Sequence, residues 1–176
     1  YRPADAVETS ECWQAALNTP NNPTVIALTR QGLPQLRADE GSENLSAKGG
    51  YVIKDTGQSS RAVTLVATGS EVSLAVDAQA VLEAEGIATA VVSMPCNELF
   101  SIQDKAYQDM VLHPNAARVV VEAGIRQSWD RLLGDRGQFV GMVGFGASAP
   151  ASALYKHFGI TVEAIVAAAK TAIAGQ

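Results

Sequence analysis

From residue 51 onward, short apolar runs alternate with longer stretches of helical period. The apolar runs fall at Tyr51–Lys54, Ala62–Ala67, Ala88–Ser93, Ala117–Val121 and Gln138–Val143. Runs this short and this continuously apolar predict buried strands, and helices in the gaps predict that both faces of the sheet are covered. The expected fold class is α/β, a mainly parallel five-stranded sheet with helices on both faces. After the second strand, Leu74, Ala75, Ala78, Val81 and Leu82 recur at helical spacing to bury one face, and Gly86 ends that helix. The last helix, Thr161–Ala174, opens on a Thr N-cap with Glu163 in its first turn, and its Ala-rich body suits close packing on a sheet.

The pattern before residue 51 is different. Ala6–Leu17 is made of helix formers, with Trp13 and Leu17 four apart on one face. "TPNNP" at Thr19–Pro23 breaks that helix, and the β-rich "TVIALT" at Thr24–Thr29 predicts a strand. The stretch from Arg30 to Gly50 is rich in Gly, Ser and charge and has no period, so it is the best linker candidate.

Two Gly-containing strand-to-helix joints raise the question of phosphate binding. In "ATGSEVSLAVDA" there is only Gly69, not the G-x-G-x-x-G of a dinucleotide site, and no Lys follows as a P-loop requires. A T-x-x-E capping box accounts for the joint instead, with Thr68 as cap and Glu71 placing negative charge at the positive end of the helix, where it would repel a phosphate. In "MVGFGASAP", Gly144 and Gly146 lack a third glycine, and Pro150 suits the first position of a helix, so a turn is expected. Glu122 in "VVVEAG" lies at a strand C-terminus, where open α/β sheets place ligands. No partner for it is visible in the sequence, so it reads as an ordinary strand-end Glu.

Composition narrows the classes further. The net charge of −5 and the lack of a basic cluster speak against nucleic-acid binding, which depends on Lys and Arg neutralising phosphates. Gly, Ser and Pro break the apolar stretches before the roughly 18 residues that a membrane span needs, so no membrane segment is expected. The N-terminus has no apolar core behind a basic start and no Met, so no secretory signal is expected and a fragment or processed chain is. Cys12 and Cys96 fall in no C-x-x-C pattern and read as reduced thiols of a cytoplasmic protein. His113 and His157 have no ligand-like spacing and read as structural or surface residues.

Taken together, seven stretches resemble the C-terminal region of the transketolase family. They are "RPAD" (Arg2–Asp5), "LTRQGLP" (Leu28–Pro34), "KGGYVIKD" (Lys48–Asp55), "ATGSEVSLAVDA" (Ala67–Ala78), "VVSMP" (Val91–Pro95), "VEAG" (Val121–Gly124) and "FGASAPA" (Phe145–Ala151). They occur in the family's order across nearly the whole chain, which makes the set specific. The resemblance implies residues 1–34 as the end of a pyrimidine-binding domain, 35–50 as a linker and 51–176 as a Rossmann-like C-terminal domain.

The activity the resemblance implies is transfer of a two-carbon ketol unit between sugar phosphates in the pentose phosphate pathway, by a cytoplasmic homodimer. Thiamine diphosphate and a divalent cation (Mg or Ca) serve the parent enzyme, and this chain alone is expected to bind neither and to be inactive. One residue carries over from the family's "SRQ" motif, namely Arg30 in "LTRQ", expected to bind the sugar phosphate. Thr29 stands where the family often has Ser, and Gly32 where it often has Asn. A guanidinium fork matches phosphate oxygens two at a time, which makes the role chemically sensible. The alternative reading is a stand-alone Rossmann-type small-molecule binding or dimerisation module.

Overall fold

In the computed structural model, five strands form one sheet in the order β1-β3-β2-β4-β5. The structure describes residues 1–37, 43–58 and 60–175. The strands are β1 Tyr51–Lys54, β2 Val63–Ala67, β3 Thr89–Ser93, β4 Ala117–Ile125 and β5 Gln138–Met142. Only β1 runs antiparallel, along β3, while the pairs β2–β3, β2–β4 and β4–β5 are all parallel. The mainly parallel sheet expected from the sequence is therefore present, with each strand within a residue or two of its apolar run except β4, which continues to Ile125.

The alternation of side chains along β2 explains why its whole length is apolar or buried. Val63, Leu65 and Ala67 face a cluster formed with Val72, Ala75, Ala78 and Leu82 of α2 (Glu71–Ala84) and Ile165, Ala169 and Ala172 of α7 (Val162–Ala174). Val66 faces the other way, into a cluster with Val92, Met94, Val120, Phe100, Val111, Trp129 and Leu133. That second layer is supplied by α3 (Asn97–Ser101), α4 (Lys105–Leu112), a 3₁₀ turn at Arg126–Trp129 and α5 (Asp130–Leu133). A central parallel strand covered on both faces has no solvent side, so it carries no polar alternation.

Helix ends follow local chemistry in most places. Thr161 caps α7 by accepting a hydrogen bond from the Ala164 nitrogen at 3.3 Å, as expected. Gly86, at φ +81°, terminates α2 in a left-handed turn that a side chain would resist. Pro150 sits one residue earlier than expected, just before α6 (Ala151–His157) rather than inside it. Val81 departs from the apolar face assigned to α2: it is exposed, while Val72 and Gln79 are buried instead.

Residues 151–174 are long and apolar enough by length and composition to cross a membrane, at mean hydropathy 1.3. The turn at Phe158–Thr161 divides them into α6 and α7, and Ile165, Ala169 and Ala172 of α7 are buried against the sheet.

Two expectations for the first thirty residues are corrected. α1 spans Ala6–Leu17 as expected, but Trp13 and Leu17 are exposed. The buried face is Glu8, Glu11, Cys12 and Ala15, because α1 packs mainly on the turn at Leu45–Lys48, and polar partners from that stretch and from β1 and β3 meet the two carboxylates. Glu8 accepts from Ala4 nitrogen at 2.7 Å, Tyr51 hydroxyl at 2.7 Å and Ser93 hydroxyl at 2.5 Å. Glu11 pairs with Arg37 at 2.7 Å and accepts from Ser46 nitrogen and hydroxyl. Arg37 and Ser46, both within the stretch read as linker, are thus buried, and a 3₁₀ turn forms at Leu45–Lys48. Residues 38–42 of that stretch lie outside the described residues.

The second correction concerns "TVIALT", which forms no strand. A strand needs a neighbour for its backbone groups. Among the described residues this segment pairs with Tyr1 alone, whose nitrogen donates to Val25 oxygen at 2.7 Å and whose oxygen accepts from Ala27 nitrogen at 2.8 Å. Val25 and Leu28 are left exposed.

Candidate functional site

The C-terminal ends of β2 and β4 converge on Arg2. The backbone there fixes the residue before its side chain acts: Arg2 nitrogen donates to Pro95 oxygen at 2.8 Å, and Gly69 nitrogen donates to Arg2 oxygen at 3.0 Å. The guanidinium then divides its fork, with Nη2 2.9 Å from Glu71 Oε2 and Nη1 2.8 Å from Glu122 Oε1. Glu71 is fully buried, and its remaining capacity is taken up by Ala123 nitrogen at 3.2 Å, Ser70 hydroxyl at 2.7 Å and Tyr155 hydroxyl at 2.7 Å. Trp129 Nε1 donates to the other oxygen of Glu122.

Electrostatics follow from that arrangement. Burial opposes the charge on Arg2, but Glu71 and then Glu122 hold its guanidinium above its ordinary value. Burial, followed by the charge of Glu71, pushes the Tyr155 hydroxyl well above its ordinary range, so it stays a donor. Every polar group in this cluster is matched, which a buried charge requires in order to persist.

This geometry corrects the capping box. Glu71 cannot reach back to a helix-cap nitrogen because its carboxylate is held by Arg2, Ala123, Ser70 and Tyr155. Ser70 occupies the cap position of α2 with no side-chain cap bond, and Thr68 hydroxyl turns instead toward Arg2 oxygen at 3.4 Å. Glu122 is corrected as well. It is not an unpartnered strand end, because Arg2, 120 positions away, comes to it. Sequence reasoning missed Arg2, Trp129 and Tyr155 altogether. The available signals were a Glu at the start of α2, a Glu on β4 and an Arg in "RPAD" with no assigned role.

Beside the cluster lies a cavity of about 430 Å³, lined by Arg2, Gly69, Glu71, Met142, Gly146 and Tyr155 and closed on one side by Ala27–Thr29 and Gln31. Gly69 sits at φ +57°, and a Cβ there would come within 3.2 Å of Arg2 Nη2. Gly144 and Gly146 belong to an exposed loop in which Val143 and Phe145 also face solvent. Arg30 is exposed just past Thr29 and lies outside this lining. It makes no ion pair among the described residues.

Cys12 is buried and Cys96 half-buried, both as free thiols, and burial pushes the Cys12 thiol up to about 12. Among the described residues, no group of three or more His, Cys, Asp or Glu side chains could hold a metal ion. The residues around the cavity do not fit a diphosphate with its cation, since the Arg2 guanidinium is committed to two carboxylates and Glu71 stands at the start of α2.

An open, mainly parallel sheet covered on both faces, with a cleft outside its strand C-termini, defines a Rossmann-like α/β domain. The Transketolase-like TK C-terminal domain family matches residues 49–161. A transketolase from Rhodobacter capsulatus is 55% identical over 97% of this chain, which covers 26% of that protein. The transketolase structure from Leishmania mexicana superposes with a TM-score of 0.87 at 43% identity, over 99% of this chain and 25% of that one. A Pichia stipitis transketolase in complex with sedoheptulose 7-phosphate gives a TM-score of 0.86 at 39% identity, again over 99% of this chain and 25% of that one. The chain belongs to the transketolase family, as its C-terminal region, and spans about a quarter of the length of the curated relatives it matches.

Proposed function

We propose that this chain works as the C-terminal part of a transketolase, an enzyme moving a two-carbon ketol unit between sugar phosphates. In this reading the enzyme is a cytoplasmic homodimer of the pentose phosphate pathway. Thiamine diphosphate and its Mg or Ca ion are held by the rest of the enzyme, and the 176-residue chain by itself is inactive. Residues 1–34 complete a pyrimidine-binding domain, 35–50 connect, and 51–176 form the C-terminal domain.

Arg30 is the residue that contacts substrate, through the sugar phosphate. The observation carrying this role is a contrast between two arginines. Arg2 is neutralised by two carboxylates, whereas Arg30 is exposed without an ion pair among the described residues, so its fork is free for a phosphate. The stand-alone binding module is the weaker reading, because the polar groups beside the cavity are bonded to one another.

The test is ketol transfer by the full-length enzyme and by the isolated chain, each supplied with thiamine diphosphate, Mg²⁺ and pentose phosphates. Turnover is expected only from the former. Measurable turnover by the isolated chain would overturn the assignment of the cofactor to the rest of the enzyme.

A further inference from the structure

We propose that the opposite end of the sheet holds an anion-binding site built around Arg118, with a phosphate monoester as the class of ligand. A cavity of about 450 Å³ opens where β4 and β5 begin, and Asn115, Arg118, Gly134, Asp135 and Arg136 are among its lining residues. Residues 1–37 meet the α/β domain at the other end of the sheet, through Arg2 at Glu71 and Glu122 and through Glu8 at Tyr51 and Ser93. The walls of this cavity come wholly from positions 114–118, 133–137 and 172, so they are complete within that domain.

The observation that carries the site is a half-buried guanidinium without a carboxylate. Four arginines of the chain are not exposed, namely Arg2, Arg37, Arg61 and Arg118. The first three each lie within 2.9 Å of a carboxylate oxygen. Arg118 makes no ion pair among the described residues, and Nη1 alone of its fork is bonded there, to Leu132 oxygen at 2.8 Å. Burial pulls this guanidinium below its ordinary value, and the charge of Asp109 opposes that only in part. A charge taken out of water persists by finding a counter-charge and hydrogen bonds, which an anion in the cavity supplies to the remaining N–H groups.

The rest of the lining suits such an anion. Arg136 brings a second guanidinium to the exposed rim, and two arginines against Asp135 leave the lining net positive. Gly134 keeps the mouth open, since a Cβ there would meet nothing within 4 Å. Two guanidinium forks match a doubly charged phosphate with several oxygens better than a single carboxylate. The volume exceeds that of a bare ion, which favours an ester of a small metabolite.

The experiment is titration calorimetry of the full-length enzyme loaded with thiamine diphosphate and Mg²⁺, in an Arg30→Leu background that removes the other phosphate-directed arginine. Ribose 5-phosphate is expected to bind saturably, at least as tightly as inorganic phosphate, and Arg118→Leu to weaken it roughly tenfold or more. Arg118→Lys keeps part of the affinity, while Arg136→Gln and Asn115→Asp, both at exposed positions, each weaken binding about two- to fivefold through charge. If Arg118→Leu does not fold, these two variants decide. Unchanged affinity in Arg118→Leu, or in both rim variants, overturns the site. No saturable binding in the Arg30→Leu background does the same, as does displacement by chloride at equal ionic strength. Binding of inorganic phosphate without ribose 5-phosphate overturns the monoester assignment.

Discussion

Glu71 Oε2 lies 2.9 Å from Arg2 Nη2, with the carboxylate fully buried and the two residues 69 positions apart in the chain. The carboxylate also accepts from Ala123 nitrogen, Ser70 hydroxyl and Tyr155 hydroxyl, so four donors from four segments depend on one side chain. Replacing it with Gln keeps the size but removes the charge: the amide oxygen can stay on Arg2 and Ala123 while the NH₂ faces the Ser70 and Tyr155 hydroxyls, which rotate to accept. Glu71→Gln is expected to destabilise the chain by about 3 kcal/mol, the scale for breaking a buried pair from one side. Urea unfolding measures this, and a loss under about 1 kcal/mol would mean that Glu122 alone suffices to balance Arg2.

Glu8 gives a pH dependence whose direction can be worked out. Burial raises its pKa above the ordinary 4.5, against the opposing pull of the Ser93, Tyr51 and Ala4 donors. The folded chain then keeps a proton that the unfolded chain has released. Stability from this group is full below about 4.5 and is lost as pH rises through the raised value. Glu8→Gln cannot ionise, so the fall in unfolding midpoint from pH 4.5 toward neutrality should be shallower in the variant. Identical slopes for the two proteins would reject the raised value.

Gly69 and Gly86 separate backbone strain from crowding. Both have positive φ, but a Cβ on Gly86 meets nothing within 4 Å, whereas one on Gly69 comes within 3.2 Å of Arg2 Nη2. Gly86→Ala is expected to cost about 1 kcal/mol from backbone conformation alone. Gly69→Ala should cost more, because the Arg2 guanidinium, held by two carboxylates, must give by a few tenths of an ångström. Equal losses in denaturant unfolding would show that the Arg2 side chain gives way freely.

Leu65→Ala and Trp13→Ala test where the core lies. Leu65 is fully buried on β2, so its truncation should cost about 2–5 kcal/mol including the cavity left behind. Trp13 is exposed on α1, and its truncation should change stability by less than about 0.5 kcal/mol despite the larger side chain. A large loss at Trp13 would restore it to a buried face.

Much of the fold was legible because its signals are local. The five strands announce themselves as short apolar runs between helices, the cap of α7 sits three residues from the nitrogen it serves, and Gly86 stops α2 within one turn. α1 was legible as a helix but not in its orientation. The buried side carries Glu8 and Glu11, and a carboxylate reads as a surface residue until its partners on other segments are known. "TVIALT" was misread for the opposite reason, since its β propensity is real but a strand also needs a neighbour along its length.

The sequence by itself determined the α/β class, the positions of the five sheet strands, the ends of α1 and α7, the stop of α2, and the kinship with transketolases. Each of these rests on residue order over a few turns or on ordered motifs. Tertiary structure alone decided that Arg2 meets Glu71 and Glu122, that Glu71 serves the Arg2 cluster rather than a helix cap, and that Tyr1 ties the Val25–Ala27 segment to the domain. Those pairings span 69, 120 and 24 positions. Charge and size in a sequence say which groups need partners, but only the packed sheet brings the strand ends close enough to supply them.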